Sequence, residues 1–368
     1  MFAKNTKKNT DGQITNVICN SAKQGLIPQR EYFDKDIANS DNTSGYYIIE
    51  ENDFVYNPRK SSDAPYGPIS SYKYPDAGIV SPLYLCFRAK EKINPSFFEW
   101  YFRSSAWHRY VYMSGDSGAR HDRVSIKDDV FFAMPISIPS AREQEHIASF
   151  LDMIDQRIDK QRALVDNLKK YKRGVLQKLL DGNQGWTDVP LYKILHERKT
   201  YCEKDGSYEH VTLSKEGVYG KTERYDRDYL VTDESKQYKI TKFGDLCYNP
   251  ANLKFGVICL NTYGDAIFSP IYVTFEIDKA YDTYFIGQAL TRHNFIGRAL
   301  RYQQGTVYER TAVSPEDLLS MKISIPSLSV QRKVSNFLIK VDSKILIEQN
   351  LLNNIILQKK QLLKDLFI

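Results

Sequence analysis

The feature that most constrains the fold of this 368-residue chain is a long amphipathic segment that occurs twice. In its first copy, residues 140–182, apolar side chains recur in alternating steps of four and three residues. That seven-residue period is typical of a helix that packs against a partner helix along one seam. Ser140 and Glu143 have the spacing of a capping box, and Gly182 supplies a stop. The seam residues are Ile147, Leu151, Ile154, Ile158, Val165, Leu168, Val175 and Leu179.

The partner helix is predicted in the same chain, because the seam is repeated 187 residues downstream. The repeated residues are Val334, Leu338, Val341, Ile345, Leu352, Ile355, Leu362 and Leu366. Two polar interruptions recur as well: Gln161 corresponds to Glu348, and Lys172 to Lys359. In an antiparallel pair Gln161 and Glu348 would face each other, and we predict that this polar layer fixes the register. The alternative is that both side chains only flank the seam at the surface.

The repeat extends beyond the helices and therefore defines the domain organisation. The segment Met134–Ser140 reappears as Met321–Ser327, and Gly78–Tyr84 resembles Ala266–Tyr272. We predict an α+β protein with two mixed α/β domains, at residues 1–139 and 183–326. Two long helices, at residues 140–182 and 327–368, form an antiparallel coiled coil with an internal pseudo-twofold repeat. Only the second domain has the opening segment Trp186–Leu191, which leaves the packing of the first domain's first strand open.

Within each half, short runs rich in Tyr, Val, Ile and Phe predict strands. They are Tyr46–Ile49, Asp53–Tyr56, Ile79–Phe87, Gln237–Ile240, Asp245–Tyr248 and Ala266–Phe275. A helix is expected over Pro95–Tyr112 and another over Tyr284–Tyr302. The Ile-Ser-Ile-Pro segments at 136–139 and 323–326 predict a last strand before each long helix.

The composition excludes several classes of protein. With 42% hydrophobic residues the chain can build real cores, and its net charge of +6 is compatible with nucleic acid without requiring it. The five scattered cysteines predict reduced thiols of a cytoplasmic protein, and the six histidines form no metal-ligand spacing. We expect no metal site. No apolar run is long enough to span a membrane.

The entry and exit of the first long helix resemble those of a known family. Pro139-Ser140-x-x-Glu143-Gln144-x-x-Ile147 leads into a lysine-rich helix that ends Lys172–Leu179. With the duplication, this resembles the specificity subunit of type I restriction–modification systems over essentially the whole chain. The second copy keeps Gln331 but has Val330 where the first has Glu143, so we expect no capping box there.

The resemblance implies a non-catalytic subunit in which two target recognition domains each read a half-site of duplex DNA. The helix pair would space the domains and dock two modification subunits, which carry S-adenosylmethionine, while this chain holds no cofactor. Restriction subunits, a translocase and nuclease, can join the complex. A helix over residues 143–180 is about 57 Å long at ~1.5 Å per residue, which sets an upper bound of roughly 17 base-pair steps of ~3.4 Å between half-sites.

Candidate DNA contacts lie in polar, basic segments at matching places of the two halves. In the first half they are Arg59, Lys60, Ser62, Lys73, Ser117, Arg120, His121 and Arg123. In the second half they are Asn252, Lys254, Arg301, Gln303, Gln304, Thr306, Tyr308 and Arg310. Arg123 and Arg310 recur, whereas residues that read different half-sites should differ, so a structural role stays open for these two.

Two other functions are alternatives to DNA recognition. A DNA methyltransferase or nuclease in its own right lacks support, because Gly217–Thr222 misses the first glycine of a phosphate loop and Tyr56-Asn57-Pro58 and Tyr248-Asn249-Pro250 lack the rest of a methyltransferase motif. A coiled-coil scaffold without DNA contact would be distinguished by the absence of salt-dependent duplex binding.

Overall fold

The chain folds into two compact units. The first comprises Met1–Leu164 and Glu348–Ile368, and the second comprises Val165–Ile347. Each long helix therefore contributes to both units. The domain boundaries predicted from the sequence lie instead at the ends of the helices. The computed structural model describes residues 1–32, 43–115, 122–181, 185–203, 206–221, 237–303 and 311–367.

The strands of the first unit are short, as expected for runs broken by glycine, proline and aspartate. They are β1 Phe2–Lys4, β2 Ile18–Ser21, β3 Gly25–Pro28, β4 Tyr47–Ile49, β5 Phe54–Tyr56, β6 Ile69–Ser71, β7 Gly78–Val80 and β8 Leu85–Ala89. The second unit contains β9 Thr187–Pro190, β10 Leu195–Glu197, β11 Tyr201–Cys202, β12 Glu209–Ser214, β13 Gly217–Gly220, β14 Tyr238–Thr241, β15 Leu246–Tyr248, β16 Ile258–Leu260, β17 Ala266–Phe268, β18 Val273–Ile277 and β19 Lys322–Ile325.

Short helices accompany the strands, and two helices are long. The α-helices are α1 Gln29–Tyr32, α2 Pro95–Arg103, α3 His108–Ser114, α4 Asp128–Phe132, α5 Ala141–Leu180, α6 Thr283–Leu290, α7 His293–Ala299, α8 Pro315–Ser320 and α9 Leu328–Asp365. The 3-10 helices are Leu191–Lys193, Pro250–Phe255 and Leu300–Tyr302.

The same four-stranded sheet occurs in both units, which gives the sequence repeat a structural counterpart. In the first unit the antiparallel order is β1-β8-β5-β6, and in the second it is β10-β18-β15-β16. The second unit adds the five-stranded sheet β11-β14-β17-β12-β13, in which β12 and β17 run parallel. The first unit instead completes its strands with the pairs β2-β3 and β4-β7.

Aromatic side chains fill the core of the first unit. Phe54 and Phe87 stack at 5.5 Å between ring centroids, and Phe2 meets both rings edge-on. Leu151 of α5 and Phe367 pack into the same core. In the second unit, the corresponding core surrounds Phe275, and Leu180 at the end of α5 packs into it. The ends of the long helices are thus anchored in the domain cores, where large apolar side chains contribute most to stability.

The residues at the start of α5 and of α9 share a hydrogen bond from glutamine to proline. The capping box described below involves Glu143 of α5, and the corresponding residue of α9 is Val330. The Nε2 of Gln144 donates to the carbonyl of Pro139 at 2.9 Å, and the Nε2 of Gln331 donates to that of Pro326 at 2.8 Å. Before α5 the predicted capping box is confirmed: Ser140 N–H donates to Glu143 Oε2 at 3.0 Å, and Glu143 N–H donates to Ser140 Oγ at 3.4 Å. The Ser140 hydroxyl also donates to Glu143 Oε2 at 2.7 Å, and this bond, together with the one from the Ser140 N–H, lowers the pKa of Glu143.

Four elements predicted as continuous are each interrupted. The strand predicted over 79–87 is β7 and β8, separated by a turn in which Tyr84 N–H donates to the carbonyl of Ser81. The strand predicted over 266–275 is split in the same way into β17 and β18. The helix predicted over 95–112 breaks at Ser104 into α2 and α3, and the helix over 284–302 breaks near Thr291. Ser81-Pro82, Ser269-Pro270 and Ser104-Ser105 lie at three of these breaks, so the sequence contained a signal for them.

The last strand predicted for the first half is wrong. Residues 136–139 have no strand structure, whereas their counterpart β19 pairs with β9. The strand β9 belongs to the segment Trp186–Leu191 that opens the second half. Without a ladder partner among the described residues, Ile138 is 46% exposed, while its counterpart Ile325 is 4% exposed. An isolated strand gains no ladder hydrogen bonds, which explains the difference.

Candidate nucleic-acid interface and helix-pair contacts

The first unit brings two of the predicted DNA-contacting segments together. Arg59 and Arg123 form an isolated antiparallel bridge, and Lys60 N–H donates to the carbonyl of Asp122 at 2.9 Å. Next to this bridge, Val124 N–H donates to the carbonyl of Pro58 at 2.9 Å. Arg59 and Lys60 are exposed and Arg123 is half-buried. Three cationic side chains therefore lie on adjoining backbone, as a phosphate-contacting surface requires.

The second unit forms the equivalent junction. Val313 N–H donates to the carbonyl of Pro250 at 3.2 Å. The side chain of Asn249 caps the short helix Pro250–Phe255 by accepting from the N–H groups of Ala251 and Asn252. This cap holds Asn252 and Lys254 on an exposed turn, with Lys254 Nζ 5.1 Å from the centroid of the Phe255 ring.

The remaining predicted contacts are distributed less closely. Ser62 and Arg301 are exposed, and Gln303 donates its side-chain N–H to Thr311 Oγ1. The ammonium of Lys73 lies 2.9 Å from the buried carboxylate of Glu99, so this lysine is engaged within the protein. Seven predicted residues lie outside the described part of the chain: Ser117, Arg120, His121, Gln304, Thr306, Tyr308 and Arg310. For all of these residues, contact with DNA stays a prediction.

A cavity opens beside the junction in each unit. In the first unit it measures about 410 Å³ and is lined by Pro58, Leu83 and Arg123 among others. In the second unit a cavity of about 640 Å³ is lined by Pro250, Ile271 and other residues. Leu83 and Ile271 lie on turns and are 59% and 63% exposed. Neither was predicted from the sequence, although both occupy the same place in Ser-Pro-Leu-Tyr and Ser-Pro-Ile-Tyr.

The two long helices meet in a polar layer within the first unit. Gln161 Nε2 donates to the side chain of Glu348 at 2.6 Å and to its backbone carbonyl at 3.0 Å. Ile158 packs with Leu352 and Ile355 in the adjacent apolar layer. Glu348 is only 7% exposed. The structure thus places Gln161 and Glu348 opposite each other, and their role in setting the register stays a prediction.

Two further polar contacts join the helices, and the repeat relates them to each other. In the first unit Lys359 Nζ pairs with Asp155 Oδ1, and in the second unit Lys172 Nζ lies 2.6 Å from Asp342 Oδ1. The sequence predicted a role for both lysines but not for the two aspartates. Asp155 and Asp342 are also 187 residues apart, so the repeat contained the signal. They flank the apolar seam and do not interrupt it.

The long helices also carry exposed apolar side chains at equivalent positions. Phe150 and Phe337 are 44% and 41% exposed, and Leu164 and Leu351 are 41% and 38% exposed. Each pair is separated by the repeat interval of 187 residues. Exposed apolar groups that recur in both copies mark surfaces that could bind the same partner twice.

The described residues show neither a metal site nor a membrane-spanning helix. No group of three or more His, Cys, Asp or Glu side chains there could hold a metal ion. No helix in the same ranges is long and apolar enough to cross a membrane. All five cysteines are free thiols, and burial raises the pKa of Cys86 and of Cys259 to about 12. Such thiols are poor nucleophiles at neutral pH.

The sequence matches one protein-family model. The model describes a type I restriction modification DNA specificity domain and matches residues 2–170. This range contains the first mixed domain and most of α5. No curated protein matches the chain significantly.

Solved structures resemble the chain over nearly its whole length. The HsdS subunit from Thermoanaerobacter tengcongensis has a TM-score of 0.51 at 14% identity, covering 98% of this chain and 92% of its own. The S subunit of a type I restriction-modification system from M. genitalium has a TM-score of 0.54 at 12% identity, covering 100% and 94%. A chain from a structure of type I R-M complex assembly and conformational transition reaches 0.59 at 14% identity, covering 99% and 96%. These likenesses show a shared fold.

Proposed function

We propose that this chain, which carries a type I restriction modification DNA specificity domain over residues 2–170, is the DNA-recognition subunit of a type I restriction–modification complex. The observation that carries the proposal is the duplication of that domain together with its basic junction. Each unit places basic side chains beside an equivalent proline carbonyl contact, at Pro58 in one and Pro250 in the other. Two recognition domains in one chain suit a bipartite target.

The two junctions differ in their side chains, and this supports an asymmetric target. Arg59, Lys60 and Arg123 line the first junction, whereas Asn252 and Lys254 line the second. Arginine and lysine recognise the guanine edge in the major groove and asparagine recognises the adenine edge, while either cation can neutralise a phosphate. The two half-sites should therefore differ in sequence.

The chain is proposed to act without catalysis of its own. S-adenosylmethionine and methyl transfer are assigned to two modification subunits, and restriction subunits can join the complex, which would work in the cytoplasm. The repeated exposed side chains of Phe150 and Phe337 support two equivalent docking surfaces. A buried apolar contact at each surface would stabilise the complex, because partner binding removes these side chains from water.

Removal of cationic groups at the first junction should weaken DNA binding in a salt-dependent way. The slope of the logarithm of the binding constant against the logarithm of the salt concentration is negative, and each neutralised phosphate contributes about −0.9 to it. For the variant Arg59→Ala/Lys60→Ala in the assembled complex, we expect this slope to become less negative by about 1–2. The measurement is a fluorescence titration of a labelled duplex bearing the methylated motif, at several salt concentrations.

The matched control for this titration is Lys333→Ala, which removes one exposed cation from α9. Its slope should equal that of the unmodified complex. An unchanged slope for Arg59→Ala/Lys60→Ala would show that these two residues do not contact DNA phosphates. Binding that does not depend on salt in the unmodified complex would contradict the proposed function itself.

A further inference from the structure

The repeat-related carboxylates Asp155 and Asp342 each contact two different structural elements. In the second unit, one oxygen of Asp342 lies 2.6 Å from Lys172 Nζ of α5. The other oxygen accepts a hydrogen bond from the hydroxyl of Tyr284, which lies in α6 of the recognition domain. One side chain of α9 therefore connects the partner helix and the recognition domain.

Asp155 makes the same kind of double contact in the first unit. One of its oxygens pairs with Lys359 Nζ of α9, and the other lies 3.6 Å from Arg103 NH1 of α2. The indole of Trp100 lies close to both cations, at 4.9 Å from the Arg103 guanidinium carbon and 4.5 Å from Lys359 Nζ. Trp100 Nε1 also donates to Asp152 on α5 at 2.9 Å.

Equivalent aspartates thus occupy the same position although the recognition domains offer them different groups. The first domain contacts Asp155 through the guanidinium of Arg103, and the second contacts Asp342 through the phenol of Tyr284. The contact between aspartate and recognition domain therefore occurs in both units, although the domain residue that makes it differs. The environments are partly buried: the side chains of Lys359 and Lys172 are 19% and 22% exposed. Burial and the nearby Asp342 carboxylate raise the pKa of Tyr284, which keeps its hydroxyl protonated as a donor.

Asp342 is held at both oxygens, which constrains direction as well as distance, because each hydrogen bond prefers its own lone-pair direction. In the first unit Asp155 accepts a hydrogen bond from Lys359, and its contact with Arg103 at 3.6 Å is an ion pair that constrains distance more than direction. Both aspartates therefore restrict movement of the recognition domain on the helix pair, and Asp342 does so more tightly. A displacement of a base-reading loop by ~3.4 Å equals one base-pair step. Small rotations of a domain consequently decide which spacer lengths in the DNA can be matched.

We infer that Asp155 and Asp342 are positioning residues that fix the orientation of each recognition domain on the helix pair and thereby restrict the number of unread base pairs between the half-sites. This inference rests on the proposed function. Neither aspartate is assigned a DNA contact. Their effect acts through Arg103 and Tyr284, which connect them to the domains.

The test uses Tyr284→Phe, which removes only the hydroxyl that contacts Asp342. Cells co-expressing the full chain with its modification subunit are analysed by single-molecule sequencing, and methylated sites are sorted by spacer length. We expect the same half-sites as in the unmodified protein, with methylation at spacers one base pair longer or shorter raised about tenfold. A hydrogen bond to a charged acceptor contributes enough for a change of this size. Asp342→Asn should act in the same direction.

Ser343→Ala is the matched control, because it removes a neighbouring hydroxyl that bonds only within α9, to the carbonyl of Ile339 at 2.9 Å. Its spacer distribution should be unchanged. If Tyr284→Phe leaves the spacer distribution of a bipartite motif unchanged, the inference is overturned and the proposed function stands. If the unmodified protein yields no bipartite motif, the proposed function fails first. Altered half-site bases in Tyr284→Phe would also count against a positioning role.

Discussion

Alanine at Asp245 should lower the free energy of unfolding of the second unit by about 3–5 kcal/mol, as expected when one partner of a buried ion pair is removed. Asp245 is 2% exposed and accepts from Arg198 Nε at 2.8 Å and from Arg198 NH2 at 2.9 Å. It also accepts from the N–H of Lys242. The hydrogen bond from Arg198 to Asp245 raises the pKa of the arginine, which stays charged. In the variant the Arg198 side chain, 15% exposed, would keep the half-exposed carboxylate of Glu276 at 3.2 Å but would face an apolar methyl group in place of Asp245.

The repeat provides the matched control for this substitution. Asp53 occupies the corresponding position before β5 and is bound by Arg88 Nε at 2.5 Å. Arg88 is 49% exposed, so water can solvate it after Asp53→Ala, and we expect a smaller loss of about 2 kcal/mol. Hydrogen exchange across a denaturant series measures each unit separately. A loss below about 1 kcal/mol for Asp245→Ala, or equal losses in both variants, would contradict this explanation.

The second large effect concerns the polar layer between the long helices. Gln161→Leu should destabilise the first unit by about 1–3 kcal/mol, because it removes the amide donor from the buried carboxylate of Glu348. The double variant Gln161→Leu/Glu348→Leu should regain most of this stability, since an apolar layer avoids the desolvation penalty of a buried charge. Circular dichroism during denaturant unfolding provides the comparison.

The double variant should nevertheless lose specificity of register. Without the layer, the seam residues can pair in shifted registers at little cost. Methylation maps of the double variant should then contain several spacer lengths with the same half-sites. An unchanged single spacer, together with unchanged stability, would show that Gln161 and Glu348 only occupy the seam.

Much of the architecture was predictable because the sequence contains an internal repeat. The duplicated seam predicted both long helices to within three residues at each end, and the Ser140–Glu143 spacing predicted the capping box correctly. Repetition also predicted two domains of one kind, and the shared sheet order agrees with this. Local patterns copied at a fixed interval are stronger evidence than the same patterns met once.

Predictions from the sequence were incomplete where the structure depends on contacts between residues distant in the chain. Residues 136–139 read as a strand, but a strand exists only with a neighbour to pair with. The ion pair between Lys73 and the buried carboxylate of Glu99 was not predictable either, because the two residues lie on different elements. Contact of Lys73 with DNA stays a prediction. The contacts of Asp155 and Asp342 were not predictable from the sequence. An aspartate on a lysine-rich helix is expected to be solvated unless the fold places another element beside it. Charge pairing across elements is a tertiary property.

Recognition of DNA by two different domains is tested most directly by the methylome of cells that co-express this chain with its modification subunit. Single-molecule sequencing reports each methylated base and its context. We expect one bipartite motif with two different half-sites, separated by an unread spacer of fixed length. A continuous motif, two identical half-sites, or no methylation from a complex that assembles would contradict it.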